Sequence, residues 1–483
     1  MNNLEKAIEE KCTLEQIKNI EITTQYTIID GVISPSVDIK GDLPNGTISV
    51  NTNCEVAFEL SNHNFTGTKD FVGDITITDG ATNNVIVYKE TILNGTDPVL
   101  SDNLIPVTIA DDGTVKKADL SSKWYSYAEK KWANAVILTD TGKVENDGTI
   151  KENSIESYFV WIPRYKYKLF DMGNYDSYIN DKPSASKASE IEIVFENKDN
   201  AISTGTAVGM YHSHPAFQAF NTNGLWVGKF ETSGTSSALT IKPNLQTLRN
   251  LNIKTMFESA LNYETNNTSH MMKNTEWGAV AYLSLSKYGI NKAININNNS
   301  ELLTGYSAVS GTNQSDFPGT SGSDSTVTLP YNTETGYKAS TTGNITGIYD
   351  MSGGSQEYMA SYKDGSLGNS GFSSDPSTTY GVKYFDKYAS NSSQTMYKNR
   401  ILGDATGEMG PFYYYADGDG NVRYHNSWYS NDSYFFESSY PWLQRGGFHN
   451  YGILVGQLYF NIYSGEADSD LTFRIVLAGQ EEA

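Results

Sequence analysis

The chain has 483 residues, enough for two to four domains, and its 38% hydrophobic content suits ordinary cores rather than disorder. With 56 acidic against 35 basic residues, the formal charge of −21 repels phosphate backbones and anionic lipid, so nucleic acid is excluded as a partner. No apolar run approaches the length of a membrane span, and the first twenty residues are too charged for a signal peptide, so the expected chain is soluble.

Residues 1–20, MNNLEKAIEEKCTLEQIKNI, place Leu4, Ala7, Ile8, Cys12, Leu14, Ile17 and Ile20 on one helical face. From Gln25 to about residue 98, short β-rich runs alternate with turn dipeptides such as NG and DG, which predicts a small antiparallel sheet. The two cysteines, Cys12 and Cys54, both fall in this part; one disulfide and two separate thiols are both open readings. A helix followed by the segment GDLPNGTISV resembles the globular part of type IV pilins of Gram-positive bacteria. That resemblance implies pilus subunits as partners of this domain. The sequence departs from those pilins in lacking the hydrophobic half of the helix and its processing site.

A change of character near residue 100 predicts a boundary between 1–98 and 99–483. Beyond it, Trp- and Tyr-rich phrases are spaced by Gly, Asn, Ser and Thr, the palette of contact surfaces, in which Tyr gives area at low entropic cost. The polar stretch from about Asn291 to Thr342 is expected to be extended loop without a core of its own. ADGDGN (Ala416 to Asn421) alternates Asp417, Asp419 and Asn421 as a calcium loop does. It lacks the loop glycine and the closing bidentate Glu, so a hairpin turn between PFYYY and VRYHNSWY is the better account. MYHSHPAF carries His212 and His214 at zinc-ligand spacing, but a zinc hydrolase also needs a downstream carboxylate ligand and an upstream Glu as general base, and at the downstream spacing stands TNGL, which favours turn and packing roles. Neither a Ser/His/Asp triad nor a phosphate loop is legible. No cofactor is expected.

Seven phrases come in order: YFVWIPRYKYK, HPAFQAF, GLWVGKFETSG, NTEWGAVAYLSLSKYG, TGIYDMSGGSQEYM, WLQRGGF and FRIVL. As a set they resemble the formylglycine-generating-enzyme branch of the C-type lectin fold. The resemblance implies an α+β chain: a C-type lectin-like domain preceded by a small helix-plus-antiparallel-sheet, pilin-like domain. DMSGGSQEYM keeps Asp350, Met351 and Glu357, but has Gly354, Ser355, Gln356 and Tyr358 where Asn, Val, Trp and Trp are usual. Formylglycine formation needs a pair of copper-binding cysteines, and residues 99–483 hold none, so the expectation is a protein that is not an enzyme.

The stretch from Tyr440 to Leu477 is rich in large apolar residues that follow neither a strand nor a helix period. A lectin-like fold with a C-terminal segment between RGG and a terminal FR resembles the variable proteins of diversity-generating retroelements, whose variable region would here span about 440–477. In that class, adenine substitution in mostly Asn codons gives Phe, His, Tyr, Ile, Leu, Ser and Asp but never Gln, Glu, Lys, Met or Trp. The resemblance implies ligand-binding roles for Phe448, His449, Asn450, Tyr451, Ile453, Leu454, Tyr459, Asn461, Ile462 and Tyr463. Trp442, Gln444, Gln457 and Glu466 would be frame, glycines 446, 447, 452, 456 and 465 would set the backbone, and Phe460 and Phe473 would pack beneath. The expected function is ligand binding or adhesion to a protein or glycan at the bacterial surface or on a pilus. A phage tail receptor-binding protein, or an enzyme on the same fold, is the alternative; an ordinary fixed strand and loop is the plain reading of 448–463.

Overall fold

A computed structural model describes residues 95–101, 103–168, 191–200, 210–308, 328–390, 431–434 and 436–479, leaving aside the side chains of Asn200 and Ile453. It also describes the backbone of the strands between Glu21 and Ile92 and of Phe412–Ala416 and Val422–Ser427. The chain divides into two compact units, Met1–Asp97 and Pro98–Ala483. The expected helix over 1–20, both cysteines and the 417–421 turn lie outside the described residues.

In the first unit every described pairing is antiparallel. Glu21–Ile29 pairs with Val32–Lys40 in a register that sets Ile29 opposite Val32. Gly46–Thr52, Phe71–Asp79 and Asn84–Ile92 form a three-stranded sheet, and Phe58–Ser61 pairs with Asn64–Gly67.

The second unit is mixed, with strands dominant and few helices. Its main sheet has eight strands in the spatial order Thr149–Ile150, Val115–Lys117, Ile105–Ile109, Asn134–Leu138, Ile155–Pro163, Gly224–Gly228, Ile475–Leu477, Ser269–Met271. Ile155–Pro163, which carries Trp161-Ile162-Pro163, is paired on both of its edges and buried on both faces over almost its whole length. Trp161 sits opposite Trp226 in register, with ring centroids 5.3 Å apart. Strand Ile475–Leu477 enters between two strands that precede it by more than two hundred residues and is fully buried.

A second sheet runs Asp386–Tyr388, Gln356–Lys363, Trp442–Gly446, Gly456–Tyr463, with Leu471–Thr472 parallel to the start of Gln356–Lys363. Helix Asn274–Ser284, which contains Trp277, is buried on all sides, and Glu276 closes its first turn by accepting from the Lys273 backbone N–H at 2.9 Å. Arg474 ties the two sheets: Nε donates to Glu357 Oε2 at 3.0 Å, Nη1 to Gly228 O at 2.8 Å and Nη2 to Tyr349 O at 3.1 Å. Among the described residues, no helix is long and apolar enough to cross a membrane.

The polar stretch 291–342 differs from expectation at its two described ends. Tyr306–Ala308 pairs with Thr328–Pro330, and Ile294, Ile296, Leu302 and Ala339 are buried. Polar side chains replace the missing apolar ones by bonding main chain: Asn297 Nδ2 donates to Leu303 O at 2.8 Å, and Thr304 Oγ1 to Lys242 O at 2.5 Å.

Candidate functional site

The candidate site is the connection between strand Trp442–Gly446, which ends in the Arg-Gly-Gly phrase, and strand Gly456–Tyr463. Arg445 fixes its base. Its guanidinium is fully buried between the rings of Trp277 and Phe460, donates to Asn274 Oδ1 at 3.0 Å and to Gln457 O at 3.1 Å, and shares the latter acceptor with Trp277 Nε1. Gly446 and Gly447 follow at φ +81° and +82°, a conformation that costs other residues strain. At Gly447 a Cβ would come 2.4 Å from Val455 Cγ1, so the two ends of the connection can close only over a glycine.

Between those ends the backbone turns on itself: Tyr451 N–H donates to Phe448 O, and Leu454 N–H to Tyr451 O. His449 N–H donates to Gly354 O at 3.0 Å, which docks the loop on the start of Gln356–Lys363. On the far edge, residues 431–434 line the strand. Asp432 N–H donates to Leu454 O, Phe460 N–H to Asp432 O, and the Asn431 carboxamide bridges Val455 O and Leu458 N–H.

This scaffold separates the expected contact residues. Tyr451 is 44% and Leu454 41% exposed, Asn450 is exposed, and Phe448 and His449 are half-buried beside them. The Phe448 ring lies 4.2 Å from that of His449 and 5.7 Å from that of Tyr451, centroid to centroid, so three rings form one surface cluster. Asn461, Ile462 and Tyr463 are half-buried at the other end of the strand, where the Tyr463 ring stacks on the exposed Tyr440 at 6.1 Å. The side chain of Ile453 lies outside the described residues.

Tyr459 is a correction. It is 1% exposed, and its hydroxyl accepts from Asn461 Nδ2 at 2.8 Å. Strand Gly456–Tyr463 is buried through its first five residues and half-buried through its last three. Exposure therefore follows position along the strand rather than the alternation of faces. Trp442–Gln444 pair with the half-buried residues 461–463, whereas residues 431–434 line the other edge only as far as Phe460, and at that end the side chains of both faces are buried. The frame residues Trp442, Gln444, Gln457, Phe460 and Phe473 are all buried, whereas Glu466 is half-buried.

Burial shapes the electrostatics of the site. Asp432 is pushed up to about 6 by burial, against one backbone hydrogen bond from Ser433. Burial also lowers the His449 pKa and raises that of Tyr451; Asp470 acts on both, opposing burial at His449 and reinforcing it at Tyr451. Deeper in the molecule, Asp350 is raised to about 6 by burial, opposed first by Arg474 and then by the Gly305 N–H. Asp350, Glu357 and Glu231 are fully buried, and their assigned partners are main-chain N–H groups, Asn297 and Arg474.

Elsewhere the motif residues serve structure. His214 caps a short turn, its Nδ1 accepting from Ala216 N–H, and is ringed by Tyr165, Tyr167, Phe217 and Tyr282. His212 lies in strand Tyr211–Ser213, paired to Tyr167. Among the described residues, no three His, Cys, Asp or Glu side chains are grouped to hold a metal. Phe412–Ala416 and Val422–Ser427 do pair antiparallel around the 417–421 segment.

Sequence reasoning missed Asp432, Gln356, Asp470 and Arg249, which surround the loop from remote parts of the chain. One signal was available. Gly354 and Gln356, where DMSGGSQEYM departs from the usual Asn and Trp, fall at the foot of this loop. Compared with models of known protein families and with curated proteins, the sequence matches none.

Proposed function

We propose that this chain is a non-catalytic ligand-binding or adhesion protein. In this reading its second unit is a C-type lectin-like scaffold of the formylglycine-generating-enzyme branch, and the Phe448–Leu454 loop with the Asn461–Tyr463 strand end is a surface diversified by a retroelement. The observation that carries the reading is the segregation of the two residue classes around the loop, to which the buried Tyr459 and the half-buried Glu466 are exceptions. Trp442, Gln444 and Gln457, which adenine substitution cannot produce, are buried in the frame, while Phe448, His449, Asn450, Tyr451 and Leu454, which it can, reach the surface on one glycine-closed loop. Rigid aromatic anchors ringed by polar side chains on a fixed backbone are the physics of a paratope. The absence of cysteine from residues 99–483 supports binding without oxidase chemistry. The first unit would be a pilin-like domain that presents this surface outside the cell or on a pilus, facing a protein or glycan.

The test is deep sequencing of the gene's 3′ end across a population of the source strain. The expected result is substitution at codons 448–451, 453, 454 and 461–463, with Trp442, Gln457 and Glu466 invariant. An unchanging segment, or changes spread evenly along the gene, would reject the diversified surface.

A further inference from the structure

We infer that the proton on the Glu231 carboxyl governs the seating of the Phe448–Leu454 loop: the neutral acid keeps in place the Gly353–Ser355 turn on which the loop rests, and ionisation of Glu231 displaces that turn and frees the loop. As a regulation of the binding surface the inference rests on the ligand-binding reading above, because a seated loop presents its rings preorganised and binds more tightly.

The turn touches both groups. Gly353 N–H donates to Gly446 O at 3.1 Å, and Gly354 O accepts from His449 N–H at 3.0 Å, so the start of the connection and the loop itself are fixed on it. Ser355 N–H donates to Oε1 of the fully buried Glu231 at 3.0 Å. A Cβ at Gly354 would come 2.6 Å from Oε1 and 3.3 Å from Oε2, so the glycine backbone, at φ +71°, lies directly over the carboxyl group. Oε2 has no hydrogen-bond partner. A neutral acid tolerates that burial far better than a carboxylate does, and a turn with glycine at two of its three positions is a cover that gives way.

Three fully buried carboxylates share one guanidinium around this point. Arg474 directs its donors to Glu357, Gly228 O and Tyr349 O. Asp350 accepts from Asn297 Nδ2 at 3.0 Å, from Gly305 N–H at 2.9 Å and from the Glu231 main-chain N–H. Lys229 Nζ donates to Asn134 Oδ1 and to the carbonyls of Ile345 and Gly347. Burial, reinforced first by Asp350 and then by Glu357, holds Glu231 well above the usual carboxylate range, against Arg474 and the Ser355 N–H. On the loop side of the turn stand His449, Arg249 and Asp470, with Asp432 at the far edge. An acid raised in this way stabilises the seated loop in full below about pH 4, the unfolded carboxylate value, and loses that contribution as pH rises towards the folded value. Each pH unit crossed in that window multiplies opening about tenfold.

The test is hydrogen–deuterium exchange of the full chain between pH 5 and 8, read by mass spectrometry of peptides covering 448–455, with each rate divided by that of unstructured chain at the same pH. Protection of the wild-type loop is expected to fall with pH at least about tenfold further than in Glu231→Gln, which keeps an acceptor for the Ser355 N–H and cannot ionise. His449 and Asp432 titrate in both proteins, so the difference belongs to Glu231. Asp350→Asn, which removes the largest charge acting on Glu231 and keeps an acceptor for the Gly305 N–H, should also shrink the fall. A wild-type loop equally protected at pH 5 and 8 would overturn the inference. So would a fall of wild-type size in either variant, which is what a purely structural Glu231 gives. These failures leave the diversified-surface reading untouched, since that stands or falls on the population sequences.

Discussion

The loop Phe448–Leu454 and the strand Gly456–Tyr463 are neighbours in sequence with the same aromatic and aliphatic composition, yet they live in opposite environments. Tyr451 stands out from the surface on a loop whose backbone bonds are satisfied among its own residues and at its foot. Tyr459, eight residues later, is sealed into a strand with neighbours on both edges. Residue type does not distinguish a contact side chain from a packing one here; the number of covered strand edges and faces does.

That contrast orders the consequences of substitution. Arg474→Ala would leave Glu357 buried without its counter-charge and strip donors from Gly228 O and Tyr349 O, and should destabilise the second unit by about 3 to 5 kcal/mol in urea melts. Tyr459→Ala should cost about 3 kcal/mol by the same measurement, as expected for opening a cavity in a core. If it costs no more than Tyr451→Ala, the distinction between loop and strand collapses.

Next comes pH. Asp432 and Asp350, each raised in the folded state to about 6, bind more protons folded than unfolded between about pH 4 and 6. Stability from this source is complete below that window and is lost as pH rises through it. Asp432→Asn should remove a share on the order of 2 kcal/mol of the fall between pH 4 and 6, measured by melts across the range, leaving the share due to Asp350. A variant with the wild-type slope would show that Asp432 is solvated at the loop edge.

Gly447→Ala combines a left-handed backbone with a 2.4 Å approach to Val455 Cγ1 and should cost about 1 to 2 kcal/mol. Because it shifts the closure point of the loop, it should also impair binding more than its stability loss explains. The smallest stability effects belong to Tyr451→Ala and Leu454→Ala, each within about 0.5 kcal/mol of wild type, with the loss appearing in ligand affinity alone. A large drop in stability for either would make the loop part of the core.

Much of the frame was legible in the sequence. The Trp161-Ile162-Pro163 and Arg-Gly-Gly phrases occur in strands, and each carries a local signal, a β-branched and aromatic run or glycines at a turn. At the described ends of 291–342 the burial was not legible, because it depends in part on Asn and Thr side chains bonding main chain, which leaves little apolar pattern to read.

By itself, then, the sequence determined the antiparallel pairing of the first unit, the acidic charge of the chain and the short list of residues around the Arg-Gly-Gly phrase, since propensity, charge and glycine placement are local properties. Only the tertiary structure decided which of those residues reach solvent and what surrounds them. Residues 431–434 cover one edge of the display strand, and Gln356, Asp468 and Asp470 are brought to the aromatic rings from other elements. Burial is set by what the rest of the chain lays against a strand, and that information is not carried in the strand's own residues.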